Sequence, residues 1–244
     1  MTALLAVDGV SKRFGGLLAT SNVTFEVRRG ETLFIVGPNG AGKTTLFNLI
    51  SGFLAPDHGV IRFEGRALAA RPHVAARLGI GRTFQIVKPL KNLSVLENVM
   101  LGAFLRTRRR ADAAARAREV LGFLQMEAVA DLPASGLPLA TLKRLEIARA
   151  LATQPKLILL DEVVAGLPTG EALALAALLQ RLPEWGVAAV AGVEHVMQVV
   201  MKVAERVIVL DRGALIAEGA PADVVRQPAV IEAYLGAKYK DVIG

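Results

Sequence analysis

Residues 37–44, GPNGAGKT, fit the pattern G-x-x-x-x-G-K-[ST], and their flanks restrict what the chain can fold into. The β-rich run TLFIV (32–36) precedes them and the helix-like TTLFNLI (44–50) follows. Glycines 37, 40 and 42 let a chain leaving a buried strand curl so that successive N–H groups point inward. The helix that follows adds its positive N-terminal end. This arrangement implies a cradle for phosphate, formed by Gly37, Pro38, Asn39, Gly40, Ala41, Gly42, Lys43, Thr44 and Thr45. Lys43 is placed to bridge the β- and γ-phosphates, and the Thr44 hydroxyl to hold Mg²⁺. The reading is a nucleoside triphosphate site, with kinases, GTPases and ATPases still open.

The 244 residues fit one large α/β domain, or one domain with a lobe inserted in it. Without cysteine there is neither a disulfide nor a thiolate metal site, which permits a cytosolic protein. The opening MTALLAVDGVSKRFGG shows no apolar signal segment. Mean hydropathy is +0.45, yet apolar runs such as ALALAALL (172–179) fall far short of the ~20 residues of a membrane-spanning helix. The composition suits a soluble chain that rests against other surfaces. A net charge of +7 admits nucleic acid or an anionic membrane as partner. Much of it lies in RTRRRADAAARAR (106–118), read here as a solvated helix face without the aromatic residues of a base-stacking surface.

ALLAVDGVSKRF and NVTFEVRRGETLFIV predict short antiparallel strands leading into a buried strand, Leu33 to Val36. IRFEG (61–65) predicts another. From Ser94 the pattern turns helical, with a capping box at Ser94–Glu97 and helix to about Ala152, broken near Leu132–Pro138. Strands return at 157–160, 187–193 and 206–210. The expectation is an α/β fold. A mostly parallel P-loop core carries an N-terminal antiparallel β subdomain (about 1–30 and 60–70) and an inserted helical lobe (about 92–152).

LILLDE (157–162) ends an apolar run in two carboxylates. Asp161, at the end of a buried strand, reaches Mg²⁺ through its water shell, and Glu162 is placed to polarise an attacking water as general base.

With both halves in view, the chain resembles the nucleotide-binding subunit of an ABC transporter over nearly its whole length. GPNGAGKTTLFNLISG is similar to that family's phosphate loop and its continuation. RTFQ (82–85) resembles the Q-loop, which makes Gln85 a contact of Mg²⁺ and of the attacking water. VEHVM (193–197) resembles the switch segment, which puts His195 on the γ-phosphate; His58 and His73 read as structural. Phe14, in KRFGG, is similar to the aromatic residue that stacks on adenine. SKRFGGLLA, LSVLENV, RLEIARALA and VIEAYLG resemble the ATPases of branched-chain amino acid importers. The resemblance implies ATP and Mg²⁺ as cofactors and a head-to-tail dimer with a second, different ATPase subunit. It also implies two transmembrane permease subunits, an indirect link to a periplasmic solute-binding protein, and a peripheral position on the cytoplasmic face of the inner membrane.

Two segments depart from the family pattern. LPLAT (137–141) stands where the signature LSGGQ, or LPYGQ in near relatives, belongs. A helix start survives there, with Thr141 as expected N-cap. The serine hydroxyl and the glycine do not, a loss of about 1–3 kcal/mol in donor contacts. In EVVAGLP (162–168), Val163 replaces the usual proline, and Pro168 replaces the Asp or Asn of the D-loop. In the family both segments face the partner's nucleotide, while the groups for this chain's own nucleotide are all present. That division implies an unequal pair of sites. The reading is therefore the ATP-hydrolysing motor subunit of an importer. Two alternatives stand beside it: an ABC-type ATPase acting on nucleic acid without a membrane partner, and a weakly hydrolysing regulatory subunit.

Overall fold

A computed structural model describes residues 3–235. Residues 1–2 and 236–244 of the single domain expected from the sequence lie outside the described residues. The chain opens with β1 (Ala3–Phe14) and β2 (Leu17–Arg28), paired antiparallel. Val23, Phe25 and Val27 of β2 point inward while Thr24, Glu26 and Arg28 face solvent, the period-two pattern of a half-buried strand. The sequence predicted short strands here, but each has 12 residues. Register shifts along the pair let strands of this length bend around the core.

Next come β3 (Thr32–Val36), α1 (Lys43–Ile50), β4 (His58–Phe63), β5 (Arg66–Ala67), α2 (Pro72–Leu78) and β6 (Ile80–Arg82). A helical stretch follows, with α3 (Val95–Ala103), α4 (Arg110–Phe123) and α5 (Leu139–Ala152). The chain closes with β7 (Leu157–Asp161), α6 (Thr169–Gln180), β8 (Ala189–Val193), α7 (Met197–Val203), β9 (Arg206–Asp211), β10 (Ala214–Gly219), α8 (Pro221–Val224) and α9 (Pro228–Leu235).

Two sheets result. One is antiparallel with strand order β2-β1-β4-β5; the other runs β10-β9-β3-β8-β7-β6 and is parallel except for β10. Strands β3, β7 and β8 are buried at every residue, which explains their unbroken apolar composition: layers cover both faces. Leu33, Ile35, Leu157 and Leu159 pack with α1 and the β1–β2 pair, while Phe34, Val36, Ile158 and Leu160 join the helices of the opposite face. The fit is tight at Gly192, where a Cβ would stand 2.4 Å from the Phe34 ring.

The helical stretch starts at the expected capping box: Glu97 N–H donates to Ser94 Oγ (3.1 Å), and Ser94 N–H to the Glu97 carboxylate (3.0 Å). It is interrupted twice, at 104–109 and 124–138, rather than only near Leu132–Pro138. The first break has a physical cause. Arg106 Nε donates to the Thr153 carbonyl and Nη1 to the Arg77 carbonyl, both at 2.9 Å, so its guanidinium caps the ends of two other helices. Arg106 is exposed, as are Arg108, Arg109 and Arg110, but it lies in the break before α4 with its guanidinium engaged, so it is not part of a free helix face. His58 and His73 sit on the surface. Among the described residues no helix is long and apolar enough to cross a membrane.

Candidate active site

The loop between β3 and α1 takes the glycine-dependent form that its sequence predicts. Gly37 (φ 149°) and Gly42 (φ 99°) hold backbone angles that side chains disfavour, and space forbids a Cβ as well. At Gly37 it would lie 2.1 Å from the Leu210 carbonyl oxygen, and at Gly42 2.2 Å from that of Ala19. The loop is thus wedged between β9 and β2. Gly213 N–H donates to the Ala41 carbonyl (3.0 Å) and Ser21 N–H to that of Gly213 (2.8 Å), closing the junction. Lys43 is buried and its ammonium spans the loop, donating to the carbonyls of Gly37 (2.7 Å) and Pro38 (2.8 Å). Burial lowers its pKa, opposed by Glu162 and Asp161.

At the end of β7, Asp161 Oδ2 accepts from Arg82 Nη2 at 3.0 Å and its N–H donates to Thr83 Oγ1. Its other oxygen, Oδ1, is buried without a hydrogen-bond partner among the described residues. Burial raises the Asp161 pKa, and Arg82 opposes the shift. Arg82 also donates to Asn48 Oδ1 and Ser51 Oγ, and lies against the rings of Phe84 (5.1 Å), Phe53 and Phe47.

Glu162 adopts φ +49°, the left-handed region, which costs a non-glycine residue about 1–3 kcal/mol. Its N–H extends the sheet ladder to the Val193 carbonyl. The bend aims the carboxylate at two other segments: Oε1 lies 3.0 Å from His195 Nε2, and Oε2 accepts from Gln85 Nε2 at 2.8 Å. Three residues far apart in sequence so converge on one cavity of about 680 Å³. Phe14, Asn39, Gly40, Ala41, Gly42, Lys43, Thr44 and Thr45 share its lining, leaving Gly37 and Pro38 at the base of the loop. Its size is that of a small-molecule or cofactor site. Phe14 is 46% exposed at its edge and Lys12 lies over the ring, so it is no core residue of the β subdomain. Asp161 opens instead on an adjoining cavity with Thr44, Gln85 and Arg82. A hydroxyl, an amide oxygen and the unpartnered Asp161 Oδ1 form a set of hard oxygen donors that suits Mg²⁺.

Four charged groups escaped the sequence reading. Arg82 lies within the quoted RTFQ, but only its glutamine carried a role. Arg212 lines the cavity from the β9–β10 turn. Lys143, buried in α5, donates to the Glu162 carbonyl at 2.8 Å, with that of Gln85 at 3.5 Å. Glu194 is 1% exposed, and its Oε1 accepts from the Val164 N–H at 3.0 Å while Oε2 has no hydrogen-bond partner among the described residues. Desolvation lifts its pKa to about 7.

At LPLAT the expected cap is corrected. Helix α5 starts at Leu139 with Pro138 as N-cap and no side-chain cap, so Thr141 sits inside the first turn. The fixed φ of Pro138 (−57°) and its carbonyl, which accepts from Leu142 N–H at 2.9 Å, begin the helix without a hydroxyl. Leu139 is exposed, and Pro168 likewise caps α6 without a side-chain hydrogen bond.

The family model described as ABC transporter matches residues 20–165, more than half of the chain. The chain belongs to the ABC transporter family. A second model, described as branched-chain amino acid ATP-binding cassette transporter, matches residues 214–240 of this cassette. The high-affinity branched-chain amino acid transport ATP-binding protein LivG of Salmonella typhimurium is 39% identical, over 96% of this cassette and 98% of that protein. BraF of Pseudomonas aeruginosa, of the same description, is 36% identical over 96% and 98%. The crystal structure of the ADP conformation of MJ1267, an ATP-binding cassette of an ABC transporter, superposes with a TM-score of 0.87 at 32% identity, covering 97% of this cassette and all of that chain. A dimeric post-hydrolysis structure of the cassette MJ0796, bound to ADP and Pi, gives 0.79 at 28% identity over 89% and 98%. The transporter ATPase reading stands on these relatives; the nucleic-acid and weakly hydrolysing readings find no support in them.

Proposed function

We propose that this ABC ATPase drives an importer of branched-chain or related amino acids, hydrolysing ATP at the cavity built on its phosphate loop. The observation that carries the reading is the convergence of Gln85 and His195 on the two oxygens of Glu162, beside Lys43 and Thr44. Lys43 and the loop N–H groups bind the β- and γ-phosphates, and Phe14 stacks on adenine. Glu162, held by two neighbours, accepts a proton from the attacking water as His195 contacts the γ-phosphate. Mg²⁺, held by Thr44 and Gln85 with Asp161 acting through water, would supply charge neutralisation between the phosphates.

The partner-facing segments support an unequal pair. LPLAT offers no serine hydroxyl or signature glycine, and Pro168 has no N–H to donate. The partner is therefore a different ATPase chain in a head-to-tail dimer, carrying the more complete signature opposite this chain's ATP. One of the two permease subunits docks on the groove of about 310 Å³ between core and helical lobe, where Phe53, Phe84 and Leu101 are exposed, and the other on the partner ATPase. Arg82, stacked on Phe84 and bonded to Asp161, joins that groove to the metal-binding side of the site. The cassette works peripherally, at the cytoplasmic face of the inner membrane, and meets the solute-binding protein only through the permeases.

The test is purification of the tagged chain with its bound subunits, reconstitution into proteoliposomes, and uptake of leucine, isoleucine and valine. ATP-dependent uptake lost on Glu162→Gln is expected. Recovery without permeases, or hydrolysis surviving that change, overturns the reading. Equal losses from Glu162→Gln and from the matching change in the partner ATPase would end the unequal-pair reading.

A further inference from the structure

Lys143 is a buried ammonium that makes no ion pair among the described residues. Its side chain crosses from α5 to the end of β7 and spends its donors on backbone, at the Glu162 carbonyl 2.8 Å away and toward the Gln85 carbonyl at 3.5 Å. A neutral donor would satisfy a carbonyl without the desolvation that a buried charge carries. The ammonium has a second reason to be there, because Glu194, Glu162, Asp161 and Glu146 all bear on it electrostatically.

Glu194 acts from the other side. It leaves β8 just before His195, and Oε1 takes the Val164 N–H two residues beyond Glu162. The turn 162–165 is thus held at its carbonyl by Lys143 and at its third N–H by Glu194, with Ala165 N–H returning to the Glu162 carbonyl at 3.3 Å. Residue 162 sits there at φ +49°, a conformation that its own type does not favour. In that conformation the carboxylate stands between Gln85 and His195.

We infer that Lys143, with Glu194 opposite, is a positioning residue for hydrolysis: it holds the Glu162 backbone in the left-handed turn that aims its carboxylate, and ties the same turn to the Gln85 segment. The inference rests on Glu162 being the general base. Lys143 also lies two residues past Thr141 in α5, so the helix that starts at LPLAT carries the group that sets this chain's own base.

The test uses the full chain purified with its partner subunits, measuring ATP turnover and the Kd of a fluorescent ATP analogue. Lys143→Met, of matching length without donors, should lower kcat by about 100-fold, as a carboxylate misplaced by about 1 Å would, with Kd within about threefold of the parent. Lys143→Arg should recover most of the turnover. In a Glu162→Gln background, Lys143→Met should add nothing, because both changes act through one group. A kcat within about twofold of the parent overturns the inference, as does a parallel loss of kcat and nucleotide affinity. So does the same fractional loss in the Glu162→Gln background. If Lys143→Met does not fold, Lys143→Leu, also without donors, replaces it with the same expected and contrary results. Full turnover in Glu162→Gln alone would instead unseat Glu162 as the base, which separates the two failures.

Discussion

Arg82 and Asp161, 79 positions apart, form an ion pair at 3.0 Å with side chains 7% and 3% exposed. Arg82 comes from the last residue of β6 and Asp161 from the last of β7, so neighbouring parallel strands end in opposite charges. Replacing Arg82 with Met leaves a buried carboxylate without its cation. The expected cost is about 3–5 kcal/mol, seen as a fall of roughly 10 °C in Tm. Differential scanning calorimetry checks it.

Glu162→Gln keeps the size of the side chain and removes its basicity. ATP turnover should fall by about 10²–10⁴-fold, the range of general-base catalysis, while ATP stays bound. Phosphate-release kinetics beside equilibrium binding of labelled ATP separate the two.

Gly42 and Gly40 should respond differently to alanine. A Cβ at Gly42 meets the Ala19 carbonyl at 2.2 Å, whereas one at Gly40 has no described atom within 4 Å beyond its adjacent residues. Both have positive φ, so each alanine carries strain of about 1–3 kcal/mol. Only Gly42→Ala also displaces the loop. Nucleotide affinity, read by isothermal titration, should drop far more for Gly42→Ala than for Gly40→Ala.

Much of this site was legible before any fold. A phosphate loop is local: eight consecutive residues carry the turn, the cation and the hydroxyl. Glu162 was legible as a carboxylate after an apolar strand, but not its left-handed backbone, since glutamate gives no signal of φ. Arg82, Lys143 and Glu194 were illegible for another reason. Each reads as an ordinary charge in an amphipathic stretch, and its role exists only through a partner on another element. Strand β10 hid because ALIAEG is only partly buried at the sheet edge. The cap of α5 was misread because a proline with fixed φ began the helix before the threonine could.

Glu194 gives a pH dependence with a definite sign. Its pKa is raised from 4.5 to about 7 on folding, so the folded state holds the proton more tightly than the unfolded chain. The resulting stability is fully present below pH 4.5 and is lost as pH rises through about 7. The shift corresponds to roughly 3 kcal/mol. Glu194→Gln cannot titrate, so its Tm relative to the parent should rise between pH 5 and pH 8. Thermal melts of both proteins across that range check this, and a constant difference would contradict it.

Restoring Pro138→Ser, Leu139→Gly, Ala140→Gly and Thr141→Gln rebuilds the donors absent from LPLAT. In the assembled transporter, turnover at the partner's site should rise roughly 5–150-fold, the equivalent of the ~1–3 kcal/mol in missing contacts. Single-turnover assays with this chain's Glu162→Gln isolate that site.

The junction of Ala19, Gly42 and Gly213 leaves no slack between the β1–β2 hairpin that bears Phe14 and the loop that bears Lys43. In the proposed function, base and triphosphate are thus gripped by a single block, with no joint between the two ends of the nucleotide. Contact between that block and the helices runs through the Lys143 side chain of α5, which meets the carbonyls of Glu162 and Gln85. In the proposed motor the nucleotide is the fixed anvil.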